Sequence, residues 1–175
     1  IFKSGNARVR KGTIIGHEIA GTIALTLGTT KFEIGDRVSI GADVPCGVCD
    51  FCNSGKANCC NVNYAIGHQF EGGFSEFMVL NKLTVDCGPV QKIPEHIDFS
   101  VAALAEPLAC CLNGYERCGE LSFSSVLVFG CGPIGMMLGM LGKYFGAKTV
   151  VLVDGNQARL DMALQCHAGD FGLNA

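Results

Sequence analysis

Basic residues are scarce and scattered in this chain: thirteen Lys and Arg stand against sixteen Asp and Glu, and no Lys/Arg run exceeds two residues. The formal charge of −3 and the missing basic stripe argue against a nucleic-acid partner. Proline is sparse, at 5 of 175 residues, and the 24 glycines follow no period. Collagen-like and disordered classes are thereby excluded. Charged residues reach only 17% while hydrophobic ones reach 49%, so the chain can bury a sizeable core as one ordinary domain or two small ones. The stretch from Ile1 to Lys11 has neither an initiator Met nor an apolar core segment. A secretory leader is therefore not expected, a cytoplasmic location is, and the chain reads as starting within a longer protein.

No charge interrupts Leu121 to Gly142, a run long enough to span a bilayer and containing a Gly135-x-x-x-Gly139 pair. Gly130-Cys131-Gly132-Pro133 in its middle would break a spanning helix, and Ser122, Ser124 and Ser125 dilute its start. A buried strand, a glycine turn and a buried helix explain the run better, so no membrane span is expected.

Short β segments divided by glycine and polar turns fill roughly the first half of the chain. Ile19–Leu25, Arg37–Ile40 after the Gly35-Asp36 turn, and Phe74–Leu80 after Gly72-Gly73 predict a small barrel or sandwich. Beyond Ile93-Pro94 the pattern turns helical. Phe99–Leu104 and Leu108–Asn113 predict two short helices, with Glu106 displayed at the joint before Pro107. From Ser125 the order is an apolar strand (Val126–Phe129), a glycine turn, a helix (Ile134–Phe145) apolar on nearly every face, and a second strand (Thr149–Val153). This is one β-α-β unit, the seed of a parallel sheet. The carboxyl end also reads as cut short, because a doubly wound sheet needs more strands.

Eleven cysteines are many for this length, and their odd number prevents complete pairing. Cys46-x2-Cys49-x2-Cys52-x7-Cys60 can wrap four thiolates around one tetrahedral ion, and Zn²⁺ favours such a sulfur set. Cys59 adjoins Cys60, and either could be the fourth ligand. Gly47, Asn53, Ser54, Gly55 and Asn58 cannot build a core, so ligation would replace one. An iron–sulfur cluster is the chemical rival, although the x7 gap and the absence of Pro after Cys60 depart from ferredoxin-like runs. Cys87, Cys110, Cys111, Cys118, Cys131 and Cys166 read as small buried hydrophobes. His68, His96 and His167 stand isolated, and a surface or satisfied core imidazole is the default for each.

Gly130-Cys131-Gly132-Pro133-Ile134-Gly135 is a G-x-G-x-x-G run between a strand and a helix, the context that dinucleotide binding requires. Its glycines serve the tight turn, the approach of a pyrophosphate and the contact of helix with strand, while the helix amino terminus offers N–H donors. Asp154 lies 19 residues past Gly135, where a carboxylate can accept from both ribose hydroxyls and repel a 2′-phosphate. NAD is thus expected rather than NADP. Arg159, five positions further along, is included among the cofactor-binding candidates together with Gly130, Gly132, Pro133, Ile134 and Gly135.

Gly16-His17-Glu18, Gly21, the Gly35-Asp36-Arg37-Val38 turn, the cysteine lobe, Glu106-Pro107-Leu108-Ala109 and the dinucleotide turn follow one another in this order. The series resembles the zinc-dependent medium-chain dehydrogenase/reductase superfamily, and its polyol branch of sorbitol, butanediol and threonine dehydrogenases in particular. The resemblance implies a mixed fold. A GroES-like, barrel-type catalytic domain (residues 1–95) would carry two zinc sites, and the first part of a Rossmann α/β doubly wound domain (residues 96–175) would carry the coenzyme.

By the same resemblance, His17 is a catalytic zinc ligand, Glu18 a further ligand or close neighbour of the metal, and Glu106 a carboxylate binding the zinc or its water. Cys46, Cys49, Cys52 and Cys60 hold the structural zinc, with Cys60 preferred as the last ligand. The family's upstream cysteine ligand is absent, since no Cys precedes Cys46. The implied reaction is NAD-dependent oxidation of a polyol or secondary alcohol to the ketone, in a homo-oligomer (dimer or tetramer). The chain as it stands is expected to be catalytically silent. The alternatives are a non-catalytic zinc-binding module and a zinc-free quinone reductase relative; the metal lobe and Gly16-His17-Glu18 argue against the latter.

Overall fold

The computed structural model describes Val9, residues 11–119 and residues 124–175. Most of the amino-terminal reading and the start of the uncharged run, with Ser122, lie outside the described residues. The chain divides into two compact units at Glu106/Pro107.

Along the first unit come β1 (Ile19–Thr22), β2 (Arg37–Ile40), β3 (Asp43–Val44), α1 (Asp50–Asn53), a 3₁₀ turn (Ala57–Cys59), β4 (Tyr64–Ala65), α2 (Lys82–Cys87), β5 (Val90–Lys92) and α3 (Phe99–Ala102). β1, β2 and β5 form an antiparallel sheet with β2 central, Ile19 facing Ile40 and Val38 facing Lys92; β3 pairs with β4. Val38 and Ile40 point inward at period two and join Phe32, Val44, Ile66 and Val90 in one apolar cluster. Arg37 points the other way. Its guanidinium donates to the Pro94, Glu95 and Ile97 carbonyls and lies 4.5 Å above the Phe99 ring. Ser39 Oγ donates to the Ala102 carbonyl at 2.9 Å. These contacts tie α3, and the chain leading to Glu106, to the central strand.

Two expectations for this unit need correction. Residues 74–80 form no strand among the described residues: 74–76 bend, and 77–80 pair with no strand. Met78 and Leu80 do pack on the core while Phe77 and Val79 are exposed, so the alternation was real but lacked a ladder partner. Glu106 is not at a joint between helices either. The break falls at residues 103–104, and Glu106 occupies the first turn of α4 (Ala105–Cys118). Pro107 fits that first turn because the leading N–H groups of a helix have no intrahelical acceptor.

The second unit continues with β6 (Ser125–Phe129), α5 (Pro133–Tyr144), β7 (Thr149–Asp154), α6 (Gln157–Gln165) and β8 (Phe171–Asn174). Its sheet is parallel in the order β6-β7-β8, with Val128 beside Leu152 and Leu152 beside Gly172. β7 buries Val150, Leu152 and Val153, as a central strand covered on both faces must. Its side chains share a cluster with Val128, Cys131, Leu160, Ala163 and Ala168. The expected all-round burial of α5 does not hold: Ile134, Met140 and Tyr144 are exposed, and the helix buries Gly135, Gly139 and Gly142. A Cβ at Gly139 would overlap the Ala168 carbonyl, so Gly135-x-x-x-Gly139 serves close packing within this unit. No helix among the described residues is long and apolar enough to cross a membrane.

Candidate functional site

The cysteine lobe is built where no core exists: α1 and the 3₁₀ turn bury no residue. Backbone bonds from Asn53 to the Cys49 carbonyl and from Cys60 to the Ala57 carbonyl curl the segment back on itself. The Sγ atoms of Cys46, Cys49, Cys52 and Cys60 all lie within 4.8 Å of one another, with Cys49 and Cys52 only 3.5 Å apart. Among the described residues this is the one group of three or more such ligands so gathered. The buried sulfur is that of Cys60, whereas Cys59 is exposed, which decides the fourth position.

Cys60 Sγ accepts from the Cys46 and Asn63 N–H groups at 3.3 and 3.4 Å, and these donors pull its thiol to about 6. The N–H groups of Cys52 and Asn61 lower Cys49 as well. Cys52 is pushed up to about 12, by desolvation first and then by the Cys49 thiol. Donors that stabilise thiolate beside crowded thiols form a socket for a soft tetrahedral cation. The four cysteines fit zinc with no open position for substrate.

A second constellation surrounds Gly16-His17-Glu18. The loop after β4 lies against this segment through three backbone bonds: Gly72 N–H to the Ile14 carbonyl (2.7 Å), Gly73 N–H to Gly16 (3.0 Å) and Phe74 N–H to Ile15 (3.0 Å). A Cβ on Gly72 would overlap the backbone of Ile15 and Gly16, and one on Gly67 would press on Gly16 from 2.9 Å. Glycine is therefore what lets the two loops meet. His68 rides on this loop, and its ring centroid is 5.8 Å from that of His17. Nothing adjacent in sequence marks His68; its only signal is the glycine spacing around it.

Glu106 reaches the same region electrostatically. Burial raises its carboxyl above the ordinary value, His17 pulls it down, and the charges of Glu18 and Asp43 push it up. His17 and Glu106 are half-buried, and Glu18 is exposed. These side chains form a neighbourhood, not a closed ligand set, since no three of their ligand atoms gather within 4.8 Å. An imidazole with several carboxylates is nonetheless a donor set suited to a divalent cation with open coordination.

In the second unit the glycine run forms the turn its spacing predicts. Gly130 adopts φ +94 and donates to the Val153 carbonyl at 2.7 Å, and a Cβ on Gly135 would overlap the Gly130 carbonyl. Gly132 caps α5, Pro133 follows at its start and Ile134 lies in its first turn. A Cβ on Gly132 would meet nothing within 4 Å, so it would project into the space before the helix amino terminus where a phosphate can approach. Asp154 ends β7. Its carboxylate accepts from the Cys131 and Asn156 N–H groups, both at 2.7 Å, which hold it below the usual range with some help from Arg159. Two oxygens offer about four acceptor directions, so this carboxylate retains capacity for hydroxyl donors. Of the remaining cysteines, Cys111 and Cys131 are buried as expected, whereas Cys110, Cys118 and Cys166 are exposed.

With this geometry in place, residues 1–92 match the alcohol dehydrogenase GroES-like domain. The chain belongs to that family, and its fold is a GroES-like unit followed by the first part of a Rossmann-type sheet. It is 41% identical over 165 residues to a D-altritol 5-dehydrogenase of Agrobacterium fabrum, covering 91% of this chain and 46% of that protein. It is 35% identical over 163 residues to an L-threonine 3-dehydrogenase of Francisella tularensis subsp. mediasiatica, covering 91% and 42%. Among solved structures, a Sinorhizobium meliloti 1021 protein bound to NADP superposes with a TM-score of 0.84 at 28% identity, covering 95% of this chain and 47% of that one. The chain thus spans less than half the length of the curated relatives it matches.

Proposed function

We infer that the complete protein is a zinc-dependent, NAD-linked dehydrogenase that oxidises a polyol or other secondary alcohol to the ketone. In this reading residues 1–95 are the metal-carrying domain and residues 96–175 open the coenzyme domain. The observation that carries it is the neighbourhood of Glu106, His17 and Glu18, brought together from distant parts of a chain whose curated relatives are a polyol and a threonine dehydrogenase. The family resemblance alone supports a homo-oligomeric assembly.

Bound at these sites, zinc would supply Lewis acidity toward the substrate hydroxyl, and NAD the hydride-accepting ring. His17 and Glu18 hold the cation. Glu106, desolvated enough to have a raised carboxyl, is suited to share the metal or to take up the proton that the alcohol must lose. The four cysteines keep their own ion closed to substrate. Gly130, Gly132, Pro133, Ile134 and Gly135 present the turn and the α5 amino terminus to the pyrophosphate. Asp154 accepts from the ribose hydroxyls and repels a 2′-phosphate, with Arg159 beside it, which favours NAD although one structural neighbour binds NADP.

In the full-length protein, Glu106→Gln is expected to lower polyol turnover at least tenfold while coenzyme affinity stays unchanged, about the low end of what one acid–base group contributes. Unaltered turnover removes Glu106 from the mechanism. One observation favours a second reading, a non-catalytic zinc-binding module: the four-thiolate set is gathered while the His17 set is not. Polyol-dependent NAD reduction by the full-length protein would exclude it.

A further inference from the structure

The segment ahead of His17 is held by the loop after β4 at three backbone points and by one side chain. Gly72, Gly73 and Phe74 donate their N–H groups to the carbonyls of Ile14, Gly16 and Ile15 respectively. The acceptors do not follow the order of the donors, so these bonds form no ladder and impose no ladder register. Residues 13–18 belong to no helix or strand. Gly12, just upstream, adopts φ +90 and has open space where a Cβ would stand. The segment's own secondary structure therefore does not fix where it lies.

Glu71 supplies the missing constraint. Its Oε2 accepts from the Ile14 N–H at 2.6 Å, a bond in the opposite sense to the other three, so Ile14 is held at both its N–H and its carbonyl. An ionised acceptor makes such a bond shorter and stronger than a neutral one does. The carboxylate also stands on a firm base. Phe70, the residue before it, packs on the apolar cluster of the first unit and donates its N–H to the Ala65 carbonyl. Gln69 Oε1 accepts from the Ala65 N–H at 2.8 Å and closes the same loop. The fixed point thus belongs to the loop, and the Ile14–Gly16 segment is what it places.

We propose that Glu71 is a positioning residue for the His17 neighbourhood: its carboxylate pins Ile14, so that Gly16 meets the loop and His17 leaves it in one direction. This rests on the reading that His17 and Glu106 serve the dehydrogenase reaction. Glu71 acts through the backbone between Ile14 and His17, and what it contributes is geometry, to which rates are steep: a misplacement of about 1 Å costs on the order of a hundredfold.

The test is made in the full-length protein. Glu71→Ala is expected to lower kcat for polyol oxidation at least about tenfold and to speed hydrogen exchange at the Ile14 N–H, with the coenzyme KM and the zinc of the cysteine lobe unchanged. Glu71→Gln keeps an acceptor oxygen at the same reach and is expected to return both kcat and exchange most of the way to native. A purely structural role would produce neither this split between kcat and coenzyme KM nor its rescue by Gln. If Glu71→Ala loses the lobe zinc, Glu71→Asp, whose carboxylate falls one methylene short of Ile14, is measured in its place. Native kcat or native Ile14 exchange in that variant, or Glu71→Gln as impaired as the truncation, overturns the proposal and leaves the dehydrogenase reading standing. Absence of polyol-dependent NAD reduction by the native protein overturns both.

Discussion

The two units reach order by different means. The second has a continuous apolar interior, with Val150 and Leu152 fully buried between helices that approach closely through glycine. The first has short strands, a modest cluster around Ile66 and Val44, and a cysteine lobe that buries almost nothing but Cys60. Where side chains can fill space, burial holds the chain; where function calls for exposed polar loops, ligation and backbone lacing replace it. The candidate metal groups all lie in the unit with the weaker core.

The sharpest way to separate these two modes is to remove metal. Chelation, or Cys60→Ser, should release one zinc per chain and open the lobe to trypsin at exposed Lys56, because structural zinc in small domains contributes roughly 10–16 kcal/mol of binding free energy. The second unit should keep its hydrogen-exchange protection. If it loses protection equally, the contrast between the units is wrong. The converse perturbation is Leu152→Ala, which deletes a fully buried side chain and should destabilise the second unit by about 2–5 kcal/mol in urea. Zinc content should stay at the native level.

A smaller effect comes from acid. Asp170 accepts from Lys143 Nζ and from the Val150 N–H, both at 2.8 Å, and these partners hold its carboxyl below the ordinary value of 3.8. A depressed folded value means that the stabilisation is present above the unfolded value and is lost as pH falls through the folded one. The urea midpoint of the second unit should therefore drop below about pH 4, and Asp170→Asn should flatten that slope. An unchanged slope would assign the acid sensitivity to other carboxylates.

Legibility from sequence follows the same divide. The β-α-β unit was plain because its signals are local: apolar runs of strand length joined by a glycine turn, with Asp154 at the strand end. The cysteine spacing was equally local and predicted a socket that the fold forms. Residues 74–80 alternate like a strand, yet pairing depends on a partner that alternation cannot name. Pro107 marked a helix start correctly, but a proline is tolerated anywhere in the first turn, so the boundary slipped and Glu106 was assigned to a joint. His68 could not be linked to His17, since what joins them is a glycine-mediated meeting of two loops far apart in sequence.

Asp154 is ordered before any ligand arrives. Its rotamer is set by two backbone donors, Cys131 in the glycine turn and Asn156 just past the end of β7, so the conformational entropy of fixing it is lost during folding, not at encounter. The receptor is pre-shaped, and replacing this one carboxylate perturbs the turn as well as whatever the turn receives. Affinity and thermal stability are consequently linked at this position, and a screen that scores only one of them would misassign the residue.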